Sequence, residues 1–508
     1  MKFSITNLLL VLITLLFLFT RLYRITDIPP SVYWDEASIG YNGYSIAQTG
    51  KDEWGKFLPI HFRAFGEFKL PVYIYATTAS VKVFGLNAFS VRLPAVLFSL
   101  GVVVLTYFLA RKLSDSPTVG LLSSLFVSIS PWFFIFSRTG YEATAGLMFY
   151  LLAVYFFLKF NRNTWYLLFS VASFILSAYS YNSFRVIIPF TILILIIYRI
   201  KDFRGIFRKD ILPILLSIII LTLSIIPIFR LYRYDAGVSR LQAVGTTSST
   251  FVKNYLSHIS LDFLILHGDK NLRSQQDGFG QMNPAEFLLL LLGALFIIGK
   301  KSKFGIFTLL LLLTGPIPAA ITKESPHALR VISMIPFVSM ISAEGVYYLG
   351  KIVKNKYLLN LAIIIIFFGF FLNYFLNFLN VYPVQSSKDW QYGYKKIFTD
   401  YKNTFDKYDR VIISDEYAQP YIFALFYQKF DPNRFRQEVV RNSVDQWGFS
   451  TVSKFDKFEF GKIGKLLEKN SKNSLVFASK EEMISNLNPL ATINFLNGEV
   501  AFRVYELK

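Results

Sequence analysis

Two adjacent carboxylates, Asp35 and Glu36, stand in Val32-Tyr33-Trp34-Asp35-Glu36-Ala37. A further acid and a lysine follow in Gly66-Glu67-Phe68-Lys69-Leu70-Pro71. A carboxylate among aromatic rings and cations is equipped to act as a general base, taking the proton of an attacking hydroxyl. More ionisable and phenolic side chains recur near the ends of apolar segments: Arg92, Arg138 and Glu142, then Tyr179, Tyr181 and Arg185. His258, Asp269 and Arg273 follow, then Glu324, His327 and Arg330. Charges held close to lipid are usually functional or paired. Each also has a structural reading. Asp35 can cap the helix that begins at Glu36. Arg138 and Glu142, four apart, can form an ion pair on one helix. Tyr179 and Tyr181 suit an interfacial aromatic belt. Arg330 can snorkel, although His327 three residues earlier shares its helix face. Asp269 and Arg273 can order a loop, and Asp415 and Glu416 suit a solvated one.

The elements that must carry these residues are apolar. The chain has 508 residues, 53% of them hydrophobic and 17% charged, which is too apolar for an ordinary soluble domain. A helix needs ~20 apolar residues to cross a bilayer. Such segments lie near 4–20, 90–110, 117–136, 142–159, 164–180, 184–199, 211–230, 286–299, 304–321, 328–349 and 357–380. No small-x-small cleavage pattern follows the first, so it reads as an uncleaved span and not as a signal peptide. The net charge of +20 is dispersed over short Lys/Arg-rich loops, such as Lys300-Lys301-Ser302-Lys303. That is the positive-inside pattern of a polytopic membrane protein and excludes a nucleic-acid binder. About eleven spans put the N-terminus in the cytoplasm and the C-terminus outside. With no cysteine and only 4 histidines, disulfides, thiolate metal sites and a His-rich metal site are excluded.

Three long segments are then external: 21–89, 231–285 and 381–508. In the first, Leu70 to Phe84 suits an interfacial amphipathic helix. The last has ordinary soluble composition. Arg410 to Ser414 and Ser474 to Ala478 read as buried strands, and Ala491 to Glu506 as a hairpin turning at Asn497-Gly498. The expected domains are a transmembrane part, 1–380, and a small extracytoplasmic α/β domain, 381–508. On this topology the acids, arginines and tyrosines named above all fall at external span ends, where a site at the outer membrane surface would collect them.

These motifs resemble the GT-C glycosyltransferases. The resemblance rests on Tyr33-Trp34-Asp35-Glu36-Ala37, on Gly66-Glu67-Phe68-Lys69-Leu70-Pro71-Val72-Tyr73, and on Phe84-Gly85 before Val91-Arg92-Leu93-Pro94. It extends through Ser137 to Glu142, Tyr179 to Arg185 and Pro326-His327-Ala328-Leu329-Arg330, covering most of residues 1–350. The nearest branch is that of protein O-mannosyltransferases and lipid A aminoarabinose transferases. The Lys-Pro-Pro often seen there is Lys69-Leu70-Pro71 here. The resemblance implies a GT-C-like, α-helical polytopic fold and a sugar donor linked to polyprenyl phosphate, with an extracytoplasmic lipid, glycan or protein as acceptor. It implies Asp35 as catalytic base at the outer face of the plasma (inner) membrane. Lys69, Arg138 and Arg330 are then expected on the donor phosphate. Glu36 and Glu67 are expected to orient the acceptor or hold a divalent cation. Glu142, Tyr181, Arg185, Asp269, Arg273 and His327 complete the candidates. Two other classes fit the membrane pattern: a flippase of lipid-linked sugar, and a membrane-anchored extracytoplasmic binding protein. A transporter would need ionisable groups at mid-membrane, where the spans have almost none, and a binding protein would leave the residues around Asp35 without a role.

Overall fold

The computed structural model describes residues 4–65, 67–203, 210–234, 245–246, 248–444, 449–468, 473–485 and 487–508. Gly66 of the Gly-Glu-Phe-Lys motif, part of the basic loop after Arg199, and 235–244 of the segment expected to form the second external loop lie outside them. The chain divides into two compact units. The first comprises Met1–Tyr23, Ala95–Tyr234 and Arg240–Asn377; the second comprises Arg24–Pro94, Asp235–Ser239 and Phe378–Lys508.

The first unit is helical. Each apolar segment expected to span is occupied by helix. Among the described residues five helices are long and apolar enough to cross a membrane: Ile5–Leu22, Ala88–Ser114, Leu212–Arg233, Lys303–Ala320 and Lys356–Asn380. Four more, Ala143–Phe157, Trp165–Ala178, Asn182–Tyr198 and Pro284–Gly299, are apolar but shorter. Ser4 opens the first helix by accepting the Asn7 N–H at 3.3 Å. The outward faces of Ile5–Leu22 and Lys356–Asn380 show leucine, isoleucine and phenylalanine, as lipid contact requires. The span expected over 117–136 is broken: Pro117–Ile129 meets Pro131–Arg138 at 63°. Pro131 supplies no N–H and disfavours helix at Ser130 before it, so the chain turns there. Met334–Ile352 packs closely on Pro284–Gly299 through two glycines. A Cβ on Gly293 would lie 2.0 Å from the Ile341 carbonyl oxygen, and one on Gly345 2.1 Å from that of Leu289. Only hydrogen fits at either point, and the backbones approach accordingly.

The second unit combines Arg24–Pro94, which holds the loop expected to be external, with the C-terminal segment. The division expected at residue 380 left that loop with the spans; by packing, Arg24–Pro94 goes with Phe378–Lys508. The helix Trp34–Thr49 lies against Pro71–Phe84, the segment expected to be an interfacial helix. Between them β1 (Phe62–Arg63) and β2 (Phe68–Lys69) form a short antiparallel ladder pairing Phe62 with Lys69. The C-terminal sheet contains β3 (Arg410–Ser414), β4 (Val440–Arg441), β5 (Val452–Phe455), β6 (Phe458–Gly461), β7 (Ser474–Ser479), β8 (Ala491–Asn494) and β9 (Val500–Leu507). The spatial order is β4-β5-β6-β3-β7-β9-β8. β3 pairs in parallel with β6 and β7, and the outer pairs are antiparallel. All six residues of β7 are buried, as expected of a central strand covered on both faces. Ile412, Val476, Ala478 and Tyr505 pack with Ile463 on one side. Tyr394 stacks on Phe423 at 5.0 Å and packs against Phe502 at 5.2 Å.

Candidate active site

Asp35 lies in the first turn of Trp34–Thr49. Its carboxylate Oδ1 meets the Lys69 ammonium at 2.6 Å, and Glu67 Oε1 stands 3.5 Å from the same nitrogen. The β1–β2 ladder delivers both partners: Lys69 ends β2 and pairs with buried Phe62, which turns its side chain inward. The Lys69 side chain is 3% exposed and that of Asp35 is 31%. The aspartate therefore keeps water access while its cation is enclosed.

Glu36 points the other way. Its carboxylate receives the Arg92 guanidinium on two oxygens, each at 3.0 Å, and accepts the Tyr33 N–H at 3.3 Å. The capping role considered for Asp35 thus belongs to Glu36. Arg92 is fully buried and donates further to the carbonyls of Ile25 at 2.7 Å, Pro29 at 3.1 Å and Ser31 at 2.6 Å. It fixes the loop that leads into Asp35. Removing one partner from a buried pair of this kind leaves an unmatched charge, at a cost of about 3–5 kcal/mol.

The candidates of the first unit have other surroundings. Arg138 is fully buried and donates to the carbonyls of Thr20 at 2.8 Å and Tyr23 at 2.9 Å, at the end of the first helix. Glu142 immediately precedes Ala143–Phe157, and Tyr181 immediately precedes Asn182–Tyr198. Arg185 donates to the Ala178 carbonyl at 2.9 Å, where the preceding helix ends.

Asp269, His327 and Arg330 come together. Asp269 accepts the N–H groups of Asn271 at 3.0 Å and Ala328 at 2.8 Å. Its burial raises its pKa above the ordinary aspartate value. His327 Nδ1 lies 4.0 Å from Asp269 Oδ2, and His327 Nε2 lies 4.0 Å from Glu324 Oε2. Arg330 donates to Thr322 Oγ1 at 2.7 Å and to Glu324 at 3.1 Å. His258 supports this turn. Burial holds its pKa down at about 4, so the neutral ring bonds the Asn254 carbonyl through Nδ1 at 2.8 Å and accepts the His327 N–H on Nε2 at 3.0 Å. Arg273 donates to Asn271 Oδ1 at 3.2 Å.

A divalent cation does not fit the carboxylates expected to hold it. Glu36 is committed to Arg92, and Asp35 and Glu67 share Lys69. Among the described residues no three His, Cys, Asp or Glu side chains gather to hold a metal. Motif reading also passed over residues that shape this site. Arg92 was visible as an external cation but had no partner in the sequence. Gln391 and Trp390 carried no local signal, because their contacts with Tyr33 and Trp34 span more than the length of a domain.

The architecture is that of a multi-pass membrane protein of the GT-C type with a small C-terminal sheet. ArnT from Cupriavidus metallidurans in the apo state superimposes with a TM-score of 0.61 at 10% identity, over 98% of this chain and 97% of that one. ArnT bound to undecaprenyl phosphate gives 0.57 at 11% identity, over 99% and 98%. The Archaeoglobus fulgidus oligosaccharyltransferase in the apo form gives 0.50 at 11% identity, over 84% of this chain and 64% of that one. Residues 69–229 match the dolichyl-phosphate-mannose-protein mannosyltransferase family. No curated protein matches by sequence. The fold shared with these structures and the family match over 69–229 agree with the GT-C resemblance of the motifs.

Proposed function

We propose that the chain is an inverting glycosyltransferase that moves a sugar from a polyprenyl-phosphate carrier to an extracytoplasmic hydroxyl, with Asp35 as general base. The observation that carries this reading is the half-exposed Asp35 carboxylate held against the enclosed Lys69. A carboxylate with water access beside an enclosed cation is in reach of an incoming hydroxyl and can act as its general base. The acceptor oxygen attacks the anomeric carbon and its proton passes to Asp35. The bond from C1 to the phosphate oxygen breaks, and polyprenyl phosphate leaves with that electron pair. One displacement inverts C1. Glu67, which shares Lys69, is proposed to orient the acceptor. Lys69 is the cation proposed for the carrier phosphate. Arg138, enclosed and bonded to two helix-end carbonyls, is proposed as an anchor of the first helix. The match to a dolichyl-phosphate-mannose-dependent family and the ArnT complex with undecaprenyl phosphate support a polyprenyl-phosphate donor. The acceptor is a lipid, glycan or protein of the cell envelope, reached from outside the plasma membrane.

The test incubates purified protein with radiolabelled polyprenyl-phosphate sugars and membrane extract, and follows label into acceptor. Asp35→Asn keeps size and most hydrogen bonding but cannot take the proton. It is expected to lose at least ~100-fold in transfer rate with normal expression and donor binding. Near-normal transfer by the variant removes Asp35 as base. Label that crosses reconstituted vesicles without transfer indicates a flippase, and label that is bound and never transferred indicates a binding protein.

A further inference from the structure

The first N–H groups of a helix have no partner within it. An aspartate in the first turn commonly accepts them with its own carboxylate. Asp35 occupies such a position, yet other residues serve the start of its helix. Glu36 accepts the Tyr33 N–H at 3.3 Å, and Gln391, from the C-terminal segment, accepts the Trp34 N–H on Oε1 at 3.1 Å. The Asp35 carboxylate is turned to Lys69 instead.

Gln391 is built for this contact. It is buried, and its backbone holds φ at 53°, in the left-handed region that few residues other than glycine adopt. Its amide nitrogen donates to the Ala418 carbonyl at 3.2 Å and to that of Tyr417. With the nitrogen engaged by two carbonyls, the amide oxygen faces the Trp34 N–H. Trp390 beside it donates to the Tyr382 hydroxyl at 2.8 Å and meets Tyr33 edge to face at 6.3 Å. The Lys395 ammonium donates to the Pro30 carbonyl at 2.8 Å, and the Tyr427 hydroxyl lies 3.1 Å from Ser31 Oγ. The C-terminal segment therefore grips the chain from Pro30 to Trp34, stopping one residue short of the aspartate.

We propose that Gln391 is a positioning residue for the transfer reaction: by satisfying the Trp34 N–H from outside the helix, it keeps the Asp35 carboxylate directed at Lys69 and the acceptor instead of at its own backbone. This assigns the C-terminal domain a part in the chemistry, and it rests on the reading of Asp35 as base. Without the Gln391 oxygen, the Trp34 N–H is left without that partner, and a first-turn carboxylate such as Asp35 is of the type that takes its place. Proton removal depends directly on where Asp35 points, so the chemical step is expected to suffer more than donor binding.

Two variants in the transfer assay test the proposal, with thermal unfolding and folded fraction measured on each. Gln391→Met matches the side chain's length and removes its hydrogen bonds. It is expected to lower kcat at least ~10-fold while donor KM stays within about twofold, the pattern of a lost transition-state alignment. Gln391→Glu, which when protonated keeps an accepting oxygen and one donor, is expected to recover kcat to within about threefold of the parent protein. Wild-type kcat in Gln391→Met, or no recovery in Gln391→Glu, overturns the proposal. So does a loss that the folded fraction alone explains, or failure of both variants to fold, since each assigns Gln391 to structure only. Asp35→Asn, run alongside, separates the two readings. If it is active, the base assignment fails; if it is inactive while Gln391→Met keeps its kcat, only the role of Gln391 fails.

Discussion

Glu53 shows how far the second unit departs from a solvated loop. Its carboxylate is buried, receives the Tyr421 hydroxyl at 2.8 Å, and is pushed by desolvation from 4.5 up to about 7. A folded-state value above the unfolded one means the native protein holds a proton that the unfolded chain releases between those two pH values. The contribution to stability is whole below pH 4.5 and is lost as pH rises through about 7. Its size is at most about 3 kcal/mol. Glu53→Gln keeps an oxygen for Tyr421 and removes the titration. Thermal unfolding at pH 5 and pH 8 should show the parent protein losing stability with rising pH. The variant should lose less and be the more stable of the two at pH 8. Parallel curves would mean that water reaches Glu53. Some slope remains in the variant, because burial also raises the neighbouring Asp52.

At the scale of elements, the contact of Pro284–Gly299 with Met334–Ile352 depends on the absence of two side chains. A Cβ at Gly345 would meet the Leu289 backbone, which cannot rotate away as a flexible side chain could. Gly345→Val is expected to destabilise the first unit by about 3 kcal/mol or more. Gly350→Ala on the same helix, where nothing lies within 4 Å of the added carbon, should be neutral or stabilising by up to about 1 kcal/mol. Unfolding in detergent compares the two, and equal melting temperatures would contradict the close approach. The same scale explains which strands could be read in advance. β3 and β7 are apolar runs buried on both faces, and β8–β9 turns at Asn497-Gly498, so periodicity and turn chemistry reveal them. β5 and β6 escaped notice. Their turn runs through Asp456, held at φ 47°, and Lys454 pairs with Glu459 across the ladder. Interleaved charges deny that hairpin the clean apolar alternation by which a strand is recognised.

For the molecule as a whole, the Lys/Arg asymmetry orients the chain in the bilayer. Because the chain has no cysteine, single cysteines report sidedness without background. Asn497 and Lys301 are both exposed. An impermeant thiol reagent is expected to label Asn497→Cys in intact cells and Lys301→Cys only after permeabilisation. The reverse pattern would put the Asp35 loop in the cytoplasm and remove the proposed function.

Sequence alone determined the properties that are local. Apolar runs long enough to enter a bilayer form the helices, because a buried backbone must satisfy its own hydrogen bonds. The order Asp35, Glu67, Lys69 with its aromatic neighbours marked the candidate site, and Glu67 directly precedes β2, which ends at Lys69. Tertiary structure decided what depends on distant pairing. It gave Glu36 to Arg92 and so divided two adjacent acids into a structural one and an exposed one. It brought Arg24–Pro94 together with Phe378–Lys508, and set Gln391 on the helix start beside Asp35. No pattern in the chain announces such contacts. A glutamine amide, an arginine or a tryptophan bonds any suitable carbonyl, carboxylate or N–H, and only the packing of segments hundreds of residues apart selects which one it meets.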